Sequence, residues 1–197
     1  LTIRYVNSDN WSEINRGYLF EAVIYYPSDT KRPLTFFVPD ENNKNRGSIV
    51  DSIGDFRAKE INGKMRAVEQ QAIVGLKPRR VLILSNDSFN MSPEFEFVQV
   101  APIMSINDKD RLKPWYTKIK NDEHPAFVYL PGEITGRECY VDISEIMSIH
   151  KSMLLTKSNC LPIGRLKIVE DNILECLDLG FIEEEQDISV GMDNNVI

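Results

Sequence analysis

The sequence predicts a mainly β protein, a small barrel or curled sheet closed by one C-terminal helix. Strand-like apolar runs, separated by Gly, Pro and Asn, recur up to Ile149. A three- and four-residue apolar period appears only after them, from Ile163 onward. Strands first and a helix last favour a curled sheet over an alternating α/β fold.

The elements follow in order. RGYLFEAVIYYP (16–27) is dense in aromatic and branched residues and ends at Pro27, as a strand does. From Ser28 to about Lys64 the pattern breaks. Pro33, Pro39, the polar run DENNKNRG (40–47), Gly54 and Gly63 cut it into short pieces. Within it TFFV (35–38) reads as a strand and SIVDSIGDF (48–56) is ambiguous. RAVEQQAIVG (66–75) fits a short helix or an arm. RVLILS (80–85) is a buried strand by its unbroken apolar run. FEFVQVAPIMS (95–105) alternates at Phe95 and Phe97, continues apolar, and reads as another strand. AFVYLP (126–131) and ECYVDISEIMSI (138–149) are two more. In IGRLKIVEDNILECLDLGF, Leu166, Val169, Ile173, Leu174 and Leu177 share one helical face, and Gly180 is a natural stop.

The chain has 197 residues, 42% hydrophobic and 27% charged, the composition of an ordinary folded domain. Residues 1–181 are expected to form one domain, with an insertion at about 28–65 and an acidic tail at 182–197. No apolar run approaches the roughly 20 residues that a bilayer span needs. The opening LTIRYVNSDNW lacks the basic-then-apolar profile of a signal peptide. Cys139, Cys160 and Cys176 are odd in number and form no CxxC pair, so they read as reduced thiols. A cytoplasmic location, no membrane contact, no metal site and no cofactor are the expectations.

The net charge of −7 is unevenly placed. Residues 164–197 alone balance at −7, and residues 1–163 balance at zero. Within the neutral part, residues 57–80 carry a local +5 that includes Arg66, Lys77, Arg79 and Arg80. Such a run draws polyanions, and equally forms a solvated loop.

Taken together, these motifs resemble the PemK/MazF family of toxins. The match is carried by Arg16-Gly17 opening a strand, Glu69-Gln70, Arg79 before Val81 to Leu84, the polar turn SNDSFN, API-M-S, LPG, and the helix running to Leu179-Gly180. It covers roughly residues 14–26 and 66–181. The resemblance implies an SH3-like barrel (PemK/MazF/CcdB-like) with a C-terminal helix and, here, an insertion between the first two family strands. It also implies a homodimer, an antitoxin partner and metal-independent cleavage of single-stranded RNA. Some relatives of the same fold instead bind a protein target, so a catalytically inactive protein-binding module is the alternative.

Metal-free RNA cleavage needs a base for the 2′-hydroxyl, an acid for the leaving oxygen, and a cation for the charged phosphorane. Arg79 suits the last role, because its guanidinium is always ionised and its planar fork matches two phosphate oxygens. A strand-end arginine paired with a rim carboxylate is the structural alternative. Glu69 is the family-matched carboxylate and the candidate acid or base; a surface glutamate on a loop is the alternative. Ser105 stands one residue after the strict family position, which holds Met104, and is the candidate phosphate contact if the register slips by one; an ordinary strand-end serine is the alternative. Lys77, Arg80, Arg66 and Gln70 complete the expected RNA-binding set. Where many relatives have Pro after the arginine, this chain has Arg80. Where some have histidine, Val68 and Pro78 stand instead. His124 and His150 are expected to be noncatalytic. If the chain is an RNase of this kind, Glu69 and Arg79 should meet in one cleft.

Overall fold

A strand of eight residues with one charge, YLFEAVIY, lies inside the main sheet, paired on both sides. This is β1 (Tyr18–Tyr25), and the computed structural model describes residues 4–25 and 34–179 around it. After residues 26–33 come β2 (Leu34–Asp40), β3 (Asn43–Ser52), the hairpin β4 (Lys59–Ile61) and β5 (Lys64–Arg66), and β6 (Gln71–Ala72). The chain then returns through β7 (Leu76–Ile83), the short helix α1 (Asp87–Met91) and β8 (Phe97–Ser105). Helix α2 (Pro114–Lys120), β9 (Phe127–Leu130), α3 (Gly132–Thr135), β10 (Cys139–Asp142), β11 (Met147–His150) and β12 (Leu154–Cys160) follow, and α4 (Ile163–Cys176) ends the described chain.

The main sheet runs β12-β1-β7-β8-β10-β9, with β11 also on β8, and each of these pairs is antiparallel. The curled sheet has β12 at one end of the path and β9 at the other, so the described barrel is open between them. Strand residues point alternately to the two faces, and here both faces are buried. Phe20, Ala22, Val81, Ile83, Val98 and Val100 face one core, which Tyr5 and Trp11 cap from the N-terminal 3-10 turns. Leu19, Leu82, Ala101, Ile103 and Val141 face the other, which Val169 of α4 covers. This explains why VLI has no polar alternation. Each of its residues is fully buried, on one side or the other.

The Arg-Gly and SNDSFN motifs turn out to be joints. Gly17 has φ 80°, a backbone state that L side chains resist, and a Cβ there would stand 3.0 Å from Leu166 of α4. Its N–H donates to the Ile83 carbonyl at 2.9 Å, and its own carbonyl accepts from Leu161 at 2.8 Å. Asn86 caps α1 by accepting from the Ser88 N–H at 2.9 Å. The fully buried Asn90 donates to the Ser85 carbonyl at 2.7 Å, and Ser85 Oγ donates to its Oδ1 at 2.5 Å. Asp87 accepts from the Arg16 N–H at 2.6 Å, tying the start of β1 to the turn after β7.

Several expectations are corrected. Segment 66–75 forms no helix; it holds the end of β5, strand β6 and the start of an exposed arm. Segment 138–149 is two strands, separated by a 3-10 turn at Ile143–Glu145. Phe95 and Phe97 are exposed, and Phe95 packs on Phe89 instead of the core. Strand β12 and helix α2 were not anticipated. On α4, Leu174 and Leu177 are exposed, while the polar Asn172 is buried and donates to the His124 carbonyl at 2.9 Å. The ambiguous SIVDSIGDF contributes to β3, and TFFV lies in β2 as expected. Gly180 and the acidic tail lie outside the described residues. No described helix is long and apolar enough to cross a membrane.

Candidate active site

Where β7 leaves the core it turns polar. Its inner residues Val81, Leu82 and Ile83 are buried, Arg79 and Arg80 are half-buried, and Leu76, Lys77 and Pro78 are exposed. The buried end anchors the strand, and the arginines are carried at its margin. A cavity of about 380 Å³ opens there, lined by Arg79, Arg80, Arg137, Ser105, Asn107 and Glu21. Its floor includes Ile103 and Cys139, both belonging to the core that α4 covers.

Each side chain arrives by a separate route. Arg80 faces Glu21 across the β1–β7 pair, and Arg79 faces Ala22. One Arg80 N–H donates to the Thr135 carbonyl at 2.8 Å, which ties the guanidinium to the end of α3. Arg79 Nη1 lies 3.5 Å from the Pro78 carbonyl. Met104 and Ser105 both line the cavity, so the one-residue uncertainty in the family match changes the side chain and not the place. Ser105 pairs with Cys139 on β10, which brings Arg137 to the same opening.

The strand start beside Arg137 is held by a charged knot. Glu138 accepts from the hydroxyl of Tyr129, from Tyr116 at 3.2 Å, and from Arg111 Nε at 3.0 Å. Lys120 lies 3.5 Å away on the same carboxylate. The Tyr129 hydrogen bond leads these in pulling the Glu138 pKa down from 4.5 to about 2, against an opposing push from burial. The knot keeps β9, β10 and α2 in register at the cavity's edge.

The remaining expected residues are elsewhere. Glu69 and Gln70 line a second cavity with Phe36, Phe37, Lys44 and Gln71, all within the inserted region and the arm. Gln70 Nε2 donates to the Asp55 carbonyl. The cause is sheet pairing. Phe37 pairs with Gln71 and Phe36 with Ala72, and the Ile73 N–H donates to the Thr35 carbonyl at 2.8 Å. That short β2–β6 ladder holds the segment beside the insertion. Glu69 does not line the arginine cavity, and Arg79 does not line this second one. Arg66 pairs with Lys59 at the open end of the β4–β5 hairpin and Lys77 lies on β7; both are exposed, and neither lines the arginine cavity. His124 is a loop acceptor, taking the Ala126 and Phe127 N–H groups at 3.2 and 3.1 Å, and burial lowers its pKa. His150 contacts Ser152 at 2.7 Å and the Trp11 and Phe97 rings. Neither histidine lines the cavity. Among the described residues no cluster of three His, Cys, Asp or Glu is arranged to hold a metal. The residues missed from the sequence are Glu21, Arg137 and Asn107. Glu21 carried a signal, since it is the single charge inside an otherwise apolar strand.

A family model describing the PemK-like, MazF-like toxins of type II toxin–antitoxin systems matches residues 68–177, more than half of the chain. The chain belongs to this family. The span matched to the PemK-like toxins takes in Glu69-Gln70, Arg79, SNDSFN and α4, and leaves out β1 with Arg16-Gly17 and Glu21. Two solved structures are similar to this PemK-like chain. One is an endoribonuclease in complex with its cognate antitoxin from a mycobacterial species: 11% identity, 85% of this chain and 98% of that chain covered, TM-score 0.45. The other is a MazE–MazF structure from Deinococcus radiodurans: 13% identity, 84% and 96% covered, TM-score 0.44. No curated protein matches the chain.

Proposed function

We propose that this PemK-like toxin is an endoribonuclease that cleaves single-stranded RNA at the arginine cavity, without a metal. The observation that supports this most is the gathering of Arg79, Arg80 and Arg137 around one opening that also holds Ser105 and Asn107. Guanidinium groups supply fixed positive charge in the geometry a phosphodiester needs. Arg79 and Arg80 sit on a strand whose other half is buried, so their backbones are held before substrate arrives. Preorganised charge of this kind stabilises a phosphorane without reorganisation in the reaction step. Arg79 stabilises the charged phosphorus, while Arg80 and Ser105 position the phosphate.

Glu69 lies outside this cavity, so its part in the reading is an RNA contact from the inserted region together with Gln70, Arg66 and Lys77. An antitoxin that covers the arginines is the expected protein partner, and a two-fold homodimer is the expected assembly, checked by sedimentation at micromolar concentration. The deciding experiment is incubation with a long mixed-sequence RNA in EDTA, with the cut ends mapped. Discrete cleavage sites are the expected result. The separation of Glu69 from Arg79 favours a second reading, a noncatalytic module that binds a protein through the same basic face. RNA left intact with and without EDTA selects that reading.

A further inference from the structure

We propose that Glu21 is the general base of the arginine cavity, taking the proton from the ribose 2′-hydroxyl. The inference rests on the RNA-cleavage reading above and assigns a role that reading leaves open. Glu21 stands in the middle of β1, a strand paired on both sides, by β12 and by β7. Its chain neighbours Phe20 and Ala22 are fully buried. Glu21 itself is exposed, so its carboxylate is open to solvent and to a ligand in the cavity. Its cross-strand pairing with Arg80 contributes only modestly to stability at an exposed position, and it sets the carboxylate beside a guanidinium at the cavity.

The sheet explains where it points. Leu19, Leu82 and Ala101 form one layer of the core beneath α4, joined by the pairings Leu19↔Leu82 and Leu82↔Ala101. Two residues further along β1, and two back along β7, alternation brings Glu21 and Arg80 to that same face as direct cross-strand partners. The apolar layer thus gives way, within one repeat, to a carboxylate beside a guanidinium. Glu21 is the only acidic residue lining the cavity among the described residues. A guanidinium does not give up its proton in a protein, and an amide is not a base. Cys139 is buried in the core. Among the cavity's exposed or half-buried groups, the carboxylate is the one suited to accept a proton.

The chemistry balances without another reagent. Glu21 takes the 2′-hydroxyl proton, and the 2′-oxygen forms a bond to the adjacent phosphorus. The bond from phosphorus to the 5′-oxygen breaks, with its electron pair leaving on that oxygen. Water protonates the 5′-oxygen, and the carboxylic acid returns its proton to the resulting hydroxide. The products are a 2′,3′-cyclic phosphate and a 5′-hydroxyl.

The test compares wild type, Glu21→Gln, Glu21→Asp and Glu69→Gln in single-turnover cleavage of one RNA between about pH 3.5 and 8, a window that spans the ordinary carboxylate range. Binding of the 2′-O-methyl form of that RNA, which lacks the attacking hydroxyl, is measured in parallel. Glu21→Gln is expected to lose cleavage by on the order of 10²-fold or more, with the acid limb of the pH profile gone. It should bind the 2′-O-methyl RNA as tightly as wild type or tighter, because a negative charge has been removed from a phosphate site. Glu21→Asp should recover part of the rate together with the acid limb. Wild-type cleavage by Glu21→Gln overturns the proposal. So does a parallel loss of binding and cleavage with the pH profile unchanged, which marks Glu21 as a structural partner of Arg80. An acid limb lost in Glu69→Gln and kept in Glu21→Gln assigns the proton to Glu69. A wild type that cuts no RNA overturns the endoribonuclease reading itself, and this proposal with it.

Discussion

Arg79 and Arg80 are neighbours in sequence with different tasks. Arg80 is tied to the Thr135 carbonyl and faces Glu21, so its guanidinium serves the cavity's architecture as well as its charge. Arg79 sits one step nearer the open end of β7, opposite the small Ala22. Arg79→Ala is expected to lower the RNA cleavage rate by on the order of 10²-fold. Its melting temperature should stay close to that of wild type, because a charge at the margin of a fold contributes little to stability. Arg79→Lys should recover little of the rate, since a point charge does not reproduce the two-pronged contact. Arg80→Ala should chiefly weaken RNA binding and flatten its salt dependence, as loss of a phosphate contact does. Cleavage rates and salt titrations on the three variants check this. An essential Arg80 beside a dispensable Arg79 would reverse the two roles.

The elements that hold the site differ in how readable they were. Strand β7 was legible because burial on both faces leaves an unbroken apolar run. Helix α4 was legible because Leu166, Val169 and Ile173 repeat at helical spacing. Strand β12 was not, since LLTKSNC has one buried residue and pairs with a neighbour well over a hundred residues away. The position of Glu69 was equally hidden. It depends on the two β2–β6 pairings, which join segments far apart in the chain. Glu21 was visible as a charge, but its partner Arg80 emerges only from the register of two strands. The knot on Glu138, another long-range assembly, makes a testable pH dependence. Its carboxylate has a folded-state pKa of about 2, below its ordinary 4.5, so its stabilising contribution is full above pH 4.5. It falls away as pH drops from 4.5 through 2. Glu138→Gln is therefore expected to melt below wild type at pH 6, with the gap shrinking steadily in acid. Thermal melts of both proteins down to pH 2.5 check this; a gap that is constant in pH would mean the carboxylate charge contributes nothing.

Across the whole molecule, the inserted region carries little of the described core: Phe36 is the one buried apolar side chain among its described residues, against many in the main sheet. Its strands make their own small sheet, β3-β2-β6, and a separate hairpin, while the main sheet bypasses them. The chain leaves β1 at Tyr25 and re-enters β7 at Leu76, and these two residues are direct cross-strand partners. Two strands that form a hairpin in space are thus joined through fifty intervening residues. That arrangement has a kinetic consequence. The β1–β7 pairing must find its register across a long, costly closure, which raises contact order and slows the folding barrier's central step. A chain in which residues 26–75 are replaced by a short Asn-Gly turn should fold to the same main sheet, and should do so faster, as stopped-flow refolding will show. Slower refolding would mean that the excursion itself guides the two strands together.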